Sequence, residues 1–285
     1  MSGYSGRAEA IGHAGEVLQG AVRLGDAVEP FLVTLPAPLF QSAAAVRGAN
    51  GWSVHPDWKT KALRAAQLAC ETWRQPSPLE IFIDSEIPVA RGCGSSTADC
   101  VAVIRAVADM LGKPATDALS HEIAGLARLA ETASDSTMFD CEPLAFLPRR
   151  GEVLRRFHFD WPAMHVSVVD LGGPAVDTID CPMPTYSEDE LNEFAWLLDE
   201  LSNGHTAECI GWVASRSAAI HQRHRAHPAF DQLHKTAIKS GAFGVALAHS
   251  GTIAAVLSAN PIAIQGAVHY RLEGVQHAHL AGRRR

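Results

Sequence analysis

The segment Pro88-Val-Ala-Arg91-Gly92-Cys93-Gly94-Ser95-Ser96-Thr97-Ala98-Asp99 packs two glycines and three hydroxyl residues into six positions, Gly92 to Thr97. It follows a strand-like run and opens a helix-like one. Glycines let backbone amides approach an anion closely, and a helix N-terminus adds unpaired N–H groups and the positive end of its dipole. The hydroxyls of Ser95, Ser96 and Thr97 can reach phosphate oxygens or a magnesium ion. The segment is therefore a phosphate-binding loop. It is not a Walker A loop, because no lysine follows the second glycine, and it does not complete the G-x-G-x-x-G of a dinucleotide turn. Its bland alternative is an ordinary Ser/Thr cap after a glycine turn.

P-x-x-x-G-x-G-S-S-T-A resembles the phosphate loop of the GHMP kinases (galactokinase, homoserine kinase, mevalonate kinase and relatives). Gly12-His13-Ala14-Gly15-Glu16-Val17-Leu18-Gln19-Gly20 resembles the first motif of that family. Ser240-Gly241-Ala242-Phe243-Gly244, with the strand pair through Leu257, resembles the third. A finer similarity is to the L-threonine kinases of cobalamin biosynthesis. Their G-E-L-x-Q-G is similar to Gly15–Gly20, their S-D-G-T-M-F to Ser134–Phe139, and their G-V-x-x-A-H-S-G-T to Gly244–Thr252. Ile11-Gly12-His13 replaces P-G-T, and Ser136 replaces a glycine. The galactokinase form of the first motif is absent.

The resemblance implies transfer of the ATP γ-phosphoryl group to the side-chain hydroxyl of L-threonine. The product, O-phospho-L-threonine, would enter the aminopropanol arm of cobalamin biosynthesis. Homoserine, serine and other alcohols are the alternative acceptors, and a catalytically silent metabolite sensor is the alternative of another class. The loop Pro88, Arg91, Gly92, Cys93, Gly94, Ser95, Ser96 and Thr97 would hold ATP, with Mg2+ on Ser96 and Glu131. Asp135 resembles the aspartate that takes the acceptor's proton. It could equally orient the hydroxyl while the γ-phosphate takes that proton. The lysine that such families keep nearby is missing, with His13 and Arg7 as candidate substitutes. Glu16 and Gln19 could meet an acceptor's ammonium, and Arg149 or Arg150 could fork its carboxylate. Ser240, Gly241 and His249 are expected at the substrate end. His221-x-x-His224-x-x-His227 has metal-like spacing, but Arg223 and Arg225 interleave it, so it reads as a solvated helix end. Cys93 reads as packing.

These residues need a frame. Phe31–Leu35 reads as a strand, and Ser42–Val46 with Trp52–Val54 as a hairpin about Gly48–Gly51. Trp58–Trp73 is spaced as a helix, Leu79–Ile83 alternates as a strand, and helices are expected over Ser96–Leu111 and Ser120–Glu131. Leu144–Phe159 reads as a hairpin turning at Arg149–Gly151, and His165–Leu171 as a strand. Ser187–Gly241 turns helical, and Gly241–Ala259 reads strand–turn–strand. The pattern is α+β. The resemblance implies an N-terminal ATP-binding domain, 1–165, like ribosomal protein S5 domain 2. A ferredoxin-like C-terminal domain, 166–285, would follow it.

The chain has 285 residues, 47% hydrophobic and 19% charged, with 24 Lys and Arg against 31 Asp and Glu, a net charge of −7. An acidic chain without a basic stripe argues against nucleic-acid partners. Its single dense basic run, Arg283–Arg285, reads as a frayed tail. The most apolar stretch, Ala242–Val268, is broken by His249–Gly251 and Asn260-Pro261, so it reads as buried elements, not a membrane span. The six cysteines form no C-x-x-C pair and read as reduced thiols. The expectations are a cytoplasmic protein with ATP and a small hydroxy amino acid as ligands, no membrane partner, and homodimerisation left open.

Overall fold

In the computed structural model, residues 5–75, 78–174 and 183–274 are described. Two long strands, β1 (Ser5–Leu24) and β2 (Ala27–Gly48), form an antiparallel ribbon from Ser5↔Arg47 to Leu24↔Ala27. Three shifts of register interrupt it, between Ile11 and Gly12, His13 and Glu16, and Glu16 and Leu18. Bulges of this kind bend a strand and re-aim its side chains. They fall within the Gly12–Gly20 motif.

The next elements are β3 (Ser53–His55), α1 (Thr60–Thr72), β4 (Leu79–Ser85), α2 (Ser95–Met110), α3 (Asp117–Glu131), a 3-10 turn at Thr137–Phe139, β5 (Leu144–Leu147) and β6 (Glu152–Arg156). Then come β7 (Met164–Asp170), α4 (Glu188–Asn203), α5 (Ala207–His224), α6 (Phe230–Lys239), β8 (Ala242–Leu247), β9 (Ile253–Ser258) and β10 (Val268–Leu272). The sheet order is β10-β7-β9-β8-β1-β2-β4-β3, and β5 branches from β2 to pair β6. All pairs are antiparallel except β3 with β4.

The expected 42–54 hairpin does not form. Residues 42–48 of β2 pair with β4, and β3 lies parallel on the far side of β4. Parallel neighbours need a crossover, which α1 supplies. The α3 helix starts three residues before Ser120, because the Thr116 hydroxyl accepts from the Leu119 amide as a cap. The long helical run is three helices, and α4 begins with a capping box of Ser187 and Glu190. The hairpin of β5 and β6 and the strands β7, β8 and β9 lie where expected.

Helix α2 is buried almost all round, from Thr97 to Ala108 apart from Arg105, and packs on β1 and β2 with α1 and α3 beside it. Its small side chains let the sheet approach closely; a methyl on Gly6 would overlap Ala106 and Met110. Asp99, buried within α2, accepts from Lys59 Nζ and Ser42 Oγ, both at 2.6 Å. That buried pair fixes α2 against β2 and the entry to α1. The helices α4 and α5 pack on β1, and α5 and α6 cover β8. One hydrophobic cluster runs from β1 to β10, and a smaller one lies beneath α6 around Phe230, Val245 and Val256. Among the described residues five cysteines are free thiols, and no helix is long and apolar enough to cross a membrane. Cys181 and Arg283–Arg285 lie outside the described residues.

Candidate active site

The N-terminus of α2 has no side-chain cap; its N-cap is Gly94, in the left-handed region at φ 70°. The first amides of a helix have no intrahelical partner, so those of Ser95 to Thr97 are available to an anion. Gly92 is also left-handed, at φ 76°. A methyl on it would overlap Ser250 Oγ, and one on Gly94 would overlap the His13 ring. Both glycines are therefore required by conformation and by space. The loop is held from three sides. His13 N–H donates to the Cys93 carbonyl at 3.0 Å, and the Thr252 hydroxyl donates to the Arg91 carbonyl at 3.0 Å. The Arg91 guanidinium donates to the Gly173 carbonyl at 3.0 Å and lies 3.3 Å from Asp170. Cys93 is buried, which pushes its thiol up to about 12, and it serves as packing. Pro88 is exposed at the entrance.

Beneath the loop, the bulged part of β1 brings His13 and Glu16 to the same side. His13 Nε2 lies 3.2 Å from Asp135 Oδ2, and the three side chains form a cluster with ligand atoms within 4.8 Å. Burial works to lower the His13 pKa, but the Asp135 and Glu16 charges overcome it and raise it to about 9. Burial works to raise that of Asp135, yet His13 holds it below the usual carboxylate range. His13 Nδ1 accepts from the Gly15 amide at 3.2 Å when bare, and faces Glu16 Oε1 at 3.6 Å when protonated. Glu16 is buried with neither oxygen hydrogen-bonded, and burial raises its pKa to about 7.

Glu131 ends α3, where the backbone turns at Thr132 with φ 77°. Burial raises its pKa to about 7, against hydrogen bonds from Ser96 and Thr97. Its Oε2 is buried without a partner. An orphaned carboxylate oxygen beside the Ser96 hydroxyl suits a hard cation that takes oxygen ligands, so this pair fits magnesium. The Asp135 amide donates to Thr97 Oγ1 at 3.4 Å, joining the loop after α3 to the phosphate loop.

A cavity of about 90 Å³ opens next to Asp135, lined by Gln19, Phe31, Leu32, Thr97, Ser134, Arg149, Tyr186 and His249 among others. Gln19 stitches β1 to β8 and α5. Its Nε2 donates to the Leu247 carbonyl at 2.8 Å and its amide to Ser217 Oγ at 2.9 Å, while Oε1 meets His249 Nδ1 at 3.2 Å. Burial, with Arg225 and Arg149 nearby, lowers the pKa of His249, so the ring is neutral.

The structure thus gathers Gly92–Thr97, Glu131, Asp135, Gln19 and His249, with Glu16 below them and outside the cavity lining. Ser240 and Gly241 lie away from this group and do not line the cavity. They are exposed at the opposite end of β8, and six strand residues at roughly 3.3 Å each separate them from its His249 end. Arg150 is turned away and fastened to Glu29 at 2.8 Å. Arg7 is likewise remote, its amide on Asp109 at the far end of α2. The histidine series does not converge: His221 meets the His249 carbonyl, His224 meets Glu190, and His227 meets the Gly172 carbonyl. Contrary to a solvated helix end, His221 is buried, and burial lowers its pKa to about 4. Ser134 and Tyr186 line the cavity without having been singled out in the sequence. Ser134 stood inside a quoted motif, whereas Tyr186 carries no local signal.

Residues 60–143 match the GHMP kinases N terminal domain. Homoserine kinase of Synechocystis sp. is 28% identical over 198 residues, 64% of this chain and 60% of that relative's length. Homoserine kinase of Cytophaga hutchinsonii superposes with a TM-score of 0.68 at 16% identity, covering 94% of this chain and 95% of that one. Mevalonate kinase of methicillin-resistant Staphylococcus aureus gives 0.61 at 19% identity, covering 90% and 91%. With its uncapped glycine loop at the head of α2 and these structural neighbours, the chain has the GHMP kinase fold, and residues 60–143 carry the sequence match to the GHMP kinases N terminal domain.

Proposed function

We propose that the protein is an ATP- and magnesium-dependent kinase that phosphorylates the side-chain hydroxyl of a small hydroxy amino acid, with L-threonine as first candidate. The observation that carries this is Asp135, held beside the free amides of α2 and lining a cavity of about 90 Å³. In phosphoryl transfer a protein mainly positions the reactants and offsets charge. The amides of Ser95 to Thr97 would receive phosphate oxygens. Ser96 and Glu131 would hold Mg2+, which, when bound, neutralises charge on the phosphates. Asp135 receives the hydroxyl and orients it. With its pKa held down by His13, Asp135 is a weak base and takes the proton late, as the new P–O bond acidifies the hydroxyl. His13 thereby occupies the role for which the sequence lacks a lysine.

The segments 1–165 and 166–285 divide the work in this reading, the first cradling ATP and the second closing the acceptor cleft. Homoserine is the competing acceptor, because it is the substrate named for the relatives from Synechocystis and Cytophaga. The test is an ATP-consumption screen over L-threonine, D-threonine, L-serine, L-homoserine and ethanolamine, with products identified by phosphorus NMR. Turnover of L-threonine above the others supports the reading, whereas turnover of homoserine alone leaves a kinase with the other acceptor. Tight ATP binding with no turnover of any acceptor would favour a sensor.

A further inference from the structure

Among the described residues, two that line the cavity carry formal charge at neutral pH, Asp135 and Arg149; His249 is held neutral. The rest of the lining is mainly apolar, from Phe31, Leu32, Pro148 and Pro184. Arg149 and Arg150 stand side by side at the turn between β5 and β6, but their situations differ. Arg150 is engaged by Glu29 through two hydrogen bonds, at 2.8 and 3.2 Å. Arg149, an exposed residue, has no hydrogen-bond or ion-pair partner among the described residues, and it lines the cavity. A second observation points the same way. Ser134 Oγ is buried, lines the same cavity and has no partner. A buried hydroxyl without a hydrogen bond is costly to keep, so Ser134 Oγ is a donor that a ligand in this cavity can satisfy.

We infer that Arg149 and Ser134 form the subsite for the acceptor's carboxylate, making this a kinase for hydroxy acids rather than for simple alcohols. The inference rests on the kinase reading and deepens it. A guanidinium offers a carboxylate two parallel N–H donors, and the Ser134 hydroxyl adds a third. A ligand with its hydroxyl at Asp135 would set its carboxylate on the cationic side chain among the described lining residues, Arg149.

The test compares L-threonine and L-homoserine with 1-amino-2-propanol, which keeps the amine and hydroxyl but lacks the carboxylate. Affinity is measured by calorimetry in the presence of a non-hydrolysable ATP analogue, and steady-state rates alongside it. Arg149→Ala is expected to weaken binding of the amino acid and raise its KM about tenfold or more while changing kcat little. Arg149→Lys should recover part of the loss, Arg150→Ala should leave binding unchanged, and neither arginine variant should alter 1-amino-2-propanol. The inference is overturned if wild type binds the amino alcohol as well as the amino acid, or if it binds neither amino acid. It is also overturned if Arg149→Ala weakens the ATP analogue instead, which would assign the guanidinium to the donor. Amino-acid binding that depends on Arg149, without any turnover, would sink the kinase reading and leave the carboxylate subsite standing.

Discussion

Three ionisable side chains share one cluster, His13 and Glu16 buried and Asp135 half-buried, and their mutual charges decide what each can do. Asp135→Asn keeps the shape and removes the charge, so turnover is expected to fall at least about a hundredfold while ATP affinity changes little. The same substitution has a signature in stability. His13, raised to about 9, contributes stability that is complete below its ordinary 6.5 and is lost as pH rises to about 9. Asp135, held low, contributes stability that is present above its ordinary 3.8 and lost as pH falls through its lowered value. Denaturant melts should show wild type ahead of Asp135→Asn most clearly between these two ordinary values, with the gap narrowing toward pH 9. A gap independent of pH would mean that the two side chains are not coupled. In the sequence, Asp135 was legible through its motif, and His13 only as one of two substitutes for a missing lysine. Nothing local marks a histidine whose partner lies 122 positions away; the fold supplies Asp135.

At the scale of elements, what was legible and what was not divide along local and long-range physics. The phosphate loop and α2 were readable because a strand, two glycines and a helix start are consecutive, and their geometry is local. Strand β1 was not read as a strand, since its three shifts of register destroy the alternation by which strands are recognised. Those shifts are also what brings His13 and Glu16 to one side, so the feature that hid the strand is the one that builds the site. The false hairpin at 42–54 has a different cause. Its turn residues are genuine, but β4 competes for the edge of β2, and pairing over seven positions, Ser42↔Ser85 to Gly48↔Leu79, prevails. Ser240 and Gly241 stand apart from the cavity because the motif is stretched along β8, with its His249 end at the cavity. Gly94 carries the element-scale prediction. Gly94→Ala places a methyl against the His13 ring and 3.0 Å from Asp135 Oδ2 in a left-handed backbone position. Strain of that kind costs about 1–3 kcal/mol, and the displaced pair should reduce turnover far beyond what the stability loss explains. A variant that loses stability yet turns over normally would show that the loop does not position the pair.

Taken whole, the molecule is a single sheet whose two sets of helices meet at β1. Its first third lies against α2, its middle carries the bulges of the site, and Gly20 near its end abuts Phe194 of α4. β1 meets β8 through the pairing of Glu16 with Leu247, and Gln19 reinforces that contact with its bonds to Leu247, Ser217 and His249. A net charge of −7 gives no broad attraction for a triphosphate. In the kinase reading proposed above, affinity for ATP would come instead from a few oriented groups, chief among them the loop that His13 ties to this strand. Local openings in proteins usually release units that can leave without disturbing their neighbours. Strand β1 belongs to both helical layers and can leave neither alone. Its hydrogen-bonded amides should therefore exchange with deuterium only through complete unfolding, at a rate tracking global stability in denaturant. The edge strands β3 and β10 should exchange earlier.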